Sequence, residues 1–270
     1  PYHAQFLAAG GEGEDLTFTV EKEPKKGTVQ IDGASFTYTP EGDSTGSDSF
    51  TYTVTDSAGR VSQPATVSVT IEKAKSGVTY ADTADSTAAV AAQDLAEAGI
   101  FTGAKIGDQY YFEPDKPVSR SEFLAMVMET AGDEPTAVTM TGFCDDAAIP
   151  TWAKGSVSSA LKAGVIQGER APTGAPVFSA GTDITCGEAT VMLDRLLNMA
   201  DVPLEAAGLS VQGHWAGQAA ANLAASGVLT PDQSTSAALS EPLTRAAAAE
   251  LLDGALDVLA AREAHSWLPW

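Results

Sequence analysis

The chain has 270 residues, with 36 Asp and Glu against 15 Lys and Arg, a formal net charge of −21 and a pI near 4.2. That length suits two domains, each with its own core. The charge argues against nucleic acid and anionic lipid surfaces as partners, and no run of about 18 apolar residues suggests membrane insertion. The chain starts at Pro1 with no signal segment or initiating Met, so it reads as an excised portion of a larger exported, extracellular protein.

Residues 11–73, within a first domain at 1–74, have strand texture. Leu16–Val20, Ser35–Thr39, Phe50–Val54 and Val67–Ile71 alternate with period two, and Thr28–Ile31 is a shorter run. Thr and aromatic residues favour strands, and Asp32-Gly33 after the short run is a hairpin signal. Five strands are evident where an Ig-type sandwich has about seven. Either the segment is the end of a longer domain, or residues 1–10 supply a further strand. The acids Glu12, Glu14, Asp15, Asp43, Asp48 and Asp56 could supply oxygens for Ca²⁺ or simply keep the turns soluble. Gly27-Thr28-Val29, Phe36-Thr37-Tyr38-Thr39-Pro40 and the run Gly46–Asp56 resemble bacterial Ig-like or cadherin-like repeats of surface proteins.

Residues 75–79 form a short linker, after which the pattern becomes helical and repeats three times. Leu95–Gly103, Leu161–Gly168 and Leu223–Leu229 each read as a helix stopped by glycine, at Gly99, Gly164 and Gly227. Glycine followed by an apolar residue is the signature of a left-handed helix C-cap. A second helix then opens in each copy with Val118–Phe123, Ile184–Ala189 or Leu243–Ala248.

Ser119 with Glu122, and Thr185 with Glu188, fit the capping box, whereas Thr244 has Ala247 where the glutamate should be. These residues are expected to be structural. Phe123, Met126 and Val127 match Ala189, Met192 and Leu193, then Ala248, Leu251 and Leu252, at the i, i+3, i+4 spacing of a buried face. Units of this size are expected to pack against one another. Arg120 and Arg245 are different. A cation at a helix N-terminus opposes the macrodipole, so these arginines either bind an anionic ligand or pair with a neighbouring acid. Arg245 is the only Lys or Arg between Arg195 and Arg262.

The ordered elements over residues 80–262 resemble S-layer homology units. Tyr80-Ala81-Asp82 and Phe143-Cys144-Asp145 match the entry element, and Trp152-Ala153 and His214-Trp215-Ala216 the first helix. Phe112-Glu113-Pro114 and Phe178-Ser179 match the element before the second helix. The resemblance implies a β-sandwich over residues 1–74 followed by an all-α, pseudo-threefold assembly of copies at 80–138, 139–201 and 202–270. It implies a non-catalytic anchor that binds secondary cell-wall polysaccharide, often pyruvylated, in grooves between copies. Carried over by position, the ligand-binding residues are Asp82, Arg120, Asp145, Trp152, Trp215 and Arg245. The departures are Cys186 in place of the arginine of copy two, Thr87 in place of the tryptophan of copy one, and no aromatic-x-Asp entry in copy three. Between none and two working grooves are therefore expected. The alternative is an adhesion module whose sandwich or degenerate repeats hold a surface or host protein.

Cys144 and Cys186 lie in the same copy and are expected to form a disulfide in an oxidising compartment, the alternative being two buried thiols. His3, His214 and His265 are scattered, and no nucleophile elbow, phosphate loop or zinc pattern appears. No catalytic residue, metal site or cofactor is expected apart from the Ca²⁺ option at the sandwich.

Overall fold

Among the described residues up to Ile71 the chain forms six strands; in Thr17–Lys22, Ser35–Pro40 and Gly46–Thr55 Thr alternates with aromatic residues that turn into one core. The structure, a computed structural model, describes residues 2–6, 16–41, 44–204, 211 and 213–266. The strands are β1 (Tyr2–Gln5), β2 (Thr17–Lys22), β3 (Gly27–Asp32), β4 (Ser35–Pro40), β5 (Gly46–Thr55) and β6 (Ala65–Ile71). They pair into two antiparallel sheets, ordered β1-β4-β3 and β2-β5-β6. Five match the sequence reading; β1 is the further strand of the second alternative, supplied by residues 1–10. The Asp32-Gly33 hairpin is present, with Asp32 opposite Ser35 and Gly33 at φ 58°.

Phe6, Phe18, Phe36, Tyr38, Phe50, Tyr52 and Ile71 form the sandwich core. Phe6 sits at its centre, 4.4 Å from the Tyr52 ring, 4.8 Å from Phe36 and 4.9 Å from Phe18 between centroids. Asp48 accepts hydrogen bonds from the amides of Lys25, Lys26 and Ser49 and from the Tyr38 hydroxyl. Desolvation raises this carboxyl, but those donors outweigh it and hold it at about 2. Asp56 is engaged by the Ala58 and Arg60 amides and the Arg60 guanidinium. Neither therefore stands as an open Ca²⁺ ligand; Glu12, Glu14, Asp15 and Asp43 lie outside the described residues.

Beyond the sandwich the chain is helical, with α1 (Ala89–Glu97), α2 (Arg120–Thr130), α3 (Lys154–Ala163), α4 (Cys186–Leu197), α5 (Gly217–Ala225), α6 (Ser236–Ser240) and α7 (Arg245–Ser266). The all-α expectation needs correcting. Copies one and two each carry a two-stranded hairpin, β7 (Ala104–Ile106) with β8 (Gln109–Tyr111), and β9 (Glu169–Arg170) with β10 (Pro176–Val177). The linker is held to α1, where Glu97 accepts from the Lys75 and Ser76 amides and the Ser76 hydroxyl.

The glycine stops are as expected. Gly99, Gly164 and Gly227 lie at φ 75°, 78° and 80°. The residue after each donates to the same earlier carbonyl, Ile100 to Leu95, Val165 to Ala160 and Val228 to Leu223, all at 2.9 Å. This is the Schellman bond that satisfies an end-of-helix carbonyl. The second helices open on the capping boxes of Ser119–Glu122 and Thr185–Glu188, and Thr244 Oγ1 accepts from the Ala247 amide without the reciprocal bond. The predicted apolar faces are all buried.

The residue before each cap closes a ring. Val118 N donates to Leu243 O (3.0 Å), Leu243 N to Ile184 O (2.8 Å) and Ile184 N to Val118 O (2.9 Å). A second set runs alongside it: Arg120 N to Thr182 O, Cys186 N to Glu241 O and Arg245 N to Lys116 O, each 2.9 Å. The three copies thus meet in cyclic order at one buried centre.

The helix junctions between copies differ in chemistry. Between α4 and α5 the buried Asn222 amide donates to Asp194 (3.0 Å) and Asp201 (3.2 Å). Between α7 and α1 the place of Asn222 is taken by Asp94, and that of Asp194 by Asp253. Desolvation, then the charges of Asp94 and Asp257, push Asp253 up to about 6. Desolvation, then Asp257, Glu97 and Glu72, raise Asp94 as well. A carboxyl raised in the folded state contributes its stability below its unfolded pKa of about 3.9 and loses it as pH rises through the folded value. Asp253→Asn should therefore gain about 1 kcal/mol at pH 7.5, a figure discounted for partial solvent screening, and much less at pH 4. Thermal unfolding of both proteins across that range measures the difference.

Candidate functional site

The two entry aspartates hold backbone rather than standing free. Asp82 Oδ1 and Oδ2 accept from the amides of Phe112 (2.9 Å) and Glu113 (2.8 Å). Asp145 does the same for Phe178 (2.9 Å) and Ser179 (2.8 Å). Glu113 and Ser179 lie at φ 57° and 60°, a region costly for residues other than glycine. Each carboxylate stabilises that turn by tying down two successive N–H groups.

The turn then presents the phenylalanine carbonyl to the arginine of a neighbouring copy. Arg120 Nε donates to Phe178 O and Arg245 Nη1 to Phe112 O, both at 2.9 Å. Arg120 also pairs with Glu188 through Nη1 and lies 5.5 Å from the Phe178 ring centroid. Arg245 pairs with Glu113 (2.7 Å) and lies 5.1 Å from the Phe101 ring. Of the two alternatives for these arginines, the structure places both in pairings with neighbouring acids. Arg120 is only 5% exposed. Glu188 consequently has two tasks, closing the capping box of Thr185 with one oxygen and neutralising Arg120 with the other.

The third junction lacks this arrangement. Cys186 occupies the arginine position, and α6 stands before the last helix opening. The expected disulfide is not formed; Cys144 and Cys186 are free. Cys144 is exposed, its amide bound to Pro176 in its own copy, whereas Cys186 opens α4 with its amide on Glu241 of copy three. The two therefore belong to different boundaries. Burial raises the Cys186 thiol, with the Glu241 charge adding to it. Nearby, Glu250 of α7 accepts from the Thr87 hydroxyl and the Gln233 amide, both at 2.8 Å.

Trp152 and Trp215 are 59% and 65% exposed. His214 beside Trp215 accepts from the Ala216 amide through Nδ1 (3.2 Å), which gives it a local capping role at α5. Trp215 edges a cleft of about 190 Å³ where the three copies approach one another. Arg120 comes from copy one, the Val165–Glu169 loop, Glu188 and Arg195 from copy two, and Trp215 from copy three. Arg195 was not among the residues singled out from sequence. Its only signal there was a basic residue in the last turn of α4, ordinarily a dipole effect. The cleft combines a buried, neutralised guanidinium, an exposed one and an exposed indole, an arrangement suited to holding a polar ligand with an apolar face.

Among the described residues, no group of three or more His, Cys, Asp or Glu is placed to hold a metal ion, and no helix is long and apolar enough to cross a membrane. Residues 8–73 match the family model of the bacterial cadherin-like domain. Strands β2–β6 fall within that match and the helical region lies beyond it. No curated protein matches the chain.

Removing Arg120 leaves Glu188 partly buried without its cation and strands the Phe178 carbonyl. Arg120→Ala should cost about 3 kcal/mol or more in urea unfolding. Arg245→Ala should cost about 1 kcal/mol, because its partner Glu113 is 44% exposed.

Proposed function

We propose that this chain anchors an exported protein to the bacterial cell wall by binding secondary cell-wall polysaccharide, without catalysis, in a groove between helical copies of S-layer homology type. The cadherin-like domain is the spacer that carries the anchor away from its cargo. The observation that carries the proposal is the cleft at Arg120, Arg195 and Trp215. An exposed indole offers a flat apolar face with a polar edge, the surface a sugar ring needs, and the guanidinium supplies charge-assisted hydrogen bonds to an acidic group. By the repeat, Trp152 and Arg245 would line a second groove, weaker because Glu129 stands there at the position of Arg195. The third is inactive: it has Cys186 for the arginine, Thr87 for the tryptophan, and Glu250 bonded to Thr87.

A second reading rests on the cadherin-like match at residues 8–73: the sandwich itself holds a surface or host protein. Deleting residues 1–78 separates the two, because wall binding survives only if the helical copies are the anchor.

The direct test is sedimentation with purified walls that carry their secondary polymer, against walls stripped of it. The intact protein should pellet with the first only, and Trp215→Ala should weaken binding about tenfold or more. Equal pelleting with both wall preparations, or none, refutes the proposal.

A further inference from the structure

We infer that Arg195, rather than the motif arginine Arg120, is the group that makes this cleft select an acidic saccharide; the inference rests on the wall-binding reading above. Two guanidinium groups line the cleft, and they are not equivalent. Arg120 is buried, donates to the Phe178 carbonyl, pairs with Glu188 and has Glu169 at 3.8 Å. Its charge is balanced within the protein, and its Nε and Nη1 donors are directed at fixed acceptors. A ligand carboxylate at Arg120 would have to compete with Glu188, whose other oxygen closes the capping box of α4.

Arg195 is exposed and makes one long hydrogen bond, Nη1 to Val165 O at 3.4 Å. Among the described residues it forms no ion pair. A guanidinium so placed keeps its paired N–H groups for a carboxylate, which it binds bidentately. It shares the cleft with the exposed Trp215 indole, so a sugar could stack on the indole while its acidic group meets the guanidinium.

Charge gives a second, independent reason. The chain carries a net charge of −21, and a polyanionic polymer would be repelled at long range. At physiological ionic strength that repulsion is screened beyond about 8 Å, so a local unpaired cation decides whether an acid is accepted. The other two copies lack it: α2 has Glu129 and α7 has Gly254 at the position that Arg195 holds in α4. Acid selectivity is therefore a property of this one cleft, carried by a residue outside the repeated Ser/Thr-Arg opening.

The test uses the whole chain, as wild type, Arg195→Gln, Arg195→Lys and Trp215→Ala. The probes are secondary wall polysaccharide and the same polymer with its carboxyl groups reduced to alcohols, and affinity is read by calorimetry at two salt concentrations. Wild type should prefer the acidic polymer about tenfold or more, and Arg195→Gln should lower its affinity for that polymer to the level of the reduced one. Arg195→Lys should keep part of the preference at low salt, and Trp215→Ala should weaken both polymers alike. An unchanged preference in Arg195→Gln overturns the inference while leaving the wall-binding reading intact. Equal wild-type binding to both polymers does the same. A wild type that binds neither polymer overturns the reading and this inference together.

Discussion

Everything in the helical region hangs on three backbone hydrogen bonds, from Val118 to Leu243, Leu243 to Ile184 and Ile184 to Val118. Each copy supplies one donor and one acceptor, and all three residues are at most 1% exposed. No two copies can close the set, because any pair leaves one donor and one acceptor of the ring without its partner. The copies are therefore interdependent in a way that linear repeat arrays are not. The ring also explains why the capping motif comes immediately afterwards. Ser119, Thr185 and Thr244 turn the chain from the extended ring segment into a helix, so their caps fix the direction in which each helix leaves the centre.

The ring sets which side chains meet. Because Arg120 N bonds to Thr182 and Arg245 N to Lys116, each arginine is delivered to the phenylalanine turn of one particular neighbour. The opposing aspartate has already presented that turn's carbonyl. The order runs from Asp145 through the Phe178 turn to Arg120 and then Glu188, four groups from two copies in one satisfied network. Such a network offsets the unfavourable position of a cation at a helix N-terminus. The backbone frame is repeated three times while the side chains on it diverge: Cys186 replaces one arginine, Asp94 replaces one asparagine, and Gly254 stands opposite Arg195.

What could be read from sequence was what is local. The capping boxes, glycine stops and i, i+3, i+4 faces depend on partners within a turn or two, and all were legible. The hairpins of copies one and two were not, since strands of three and two residues leave too little alternation to recognise. Strand β1 was also short, at four residues. Site chemistry was harder because its partners are distant. Arg120 finds its carbonyl 58 residues away and its carboxylate 68 residues away. Asp82 and Asp145 bond to backbone 30–34 residues on. A motif shows that such residues matter without showing that they face inward. The cysteines illustrate the same limit, since their placement in one copy suggested proximity while the ring turns Cys186 towards the next.

The buried arginine and the exposed one are then complementary parts of a single design. The cleft is formed from three copies, and the Arg120–Glu188–Phe178 network holds two of its lining residues in register. A residue so committed is poorly suited to release its partners for a ligand, because each broken contact would strain the cap and the junction together. Recognition is better carried by a side chain whose loss costs the fold little, and Arg195, exposed on the face of α4 with one long hydrogen bond, meets that condition. Under the proposed reading, the residue that shapes the cleft is separate from the one that would read a ligand, so the repeated motif can persist for structural reasons. The equivalent position is free to vary without disturbing the network, and it holds Glu129 and Gly254 in the other two copies.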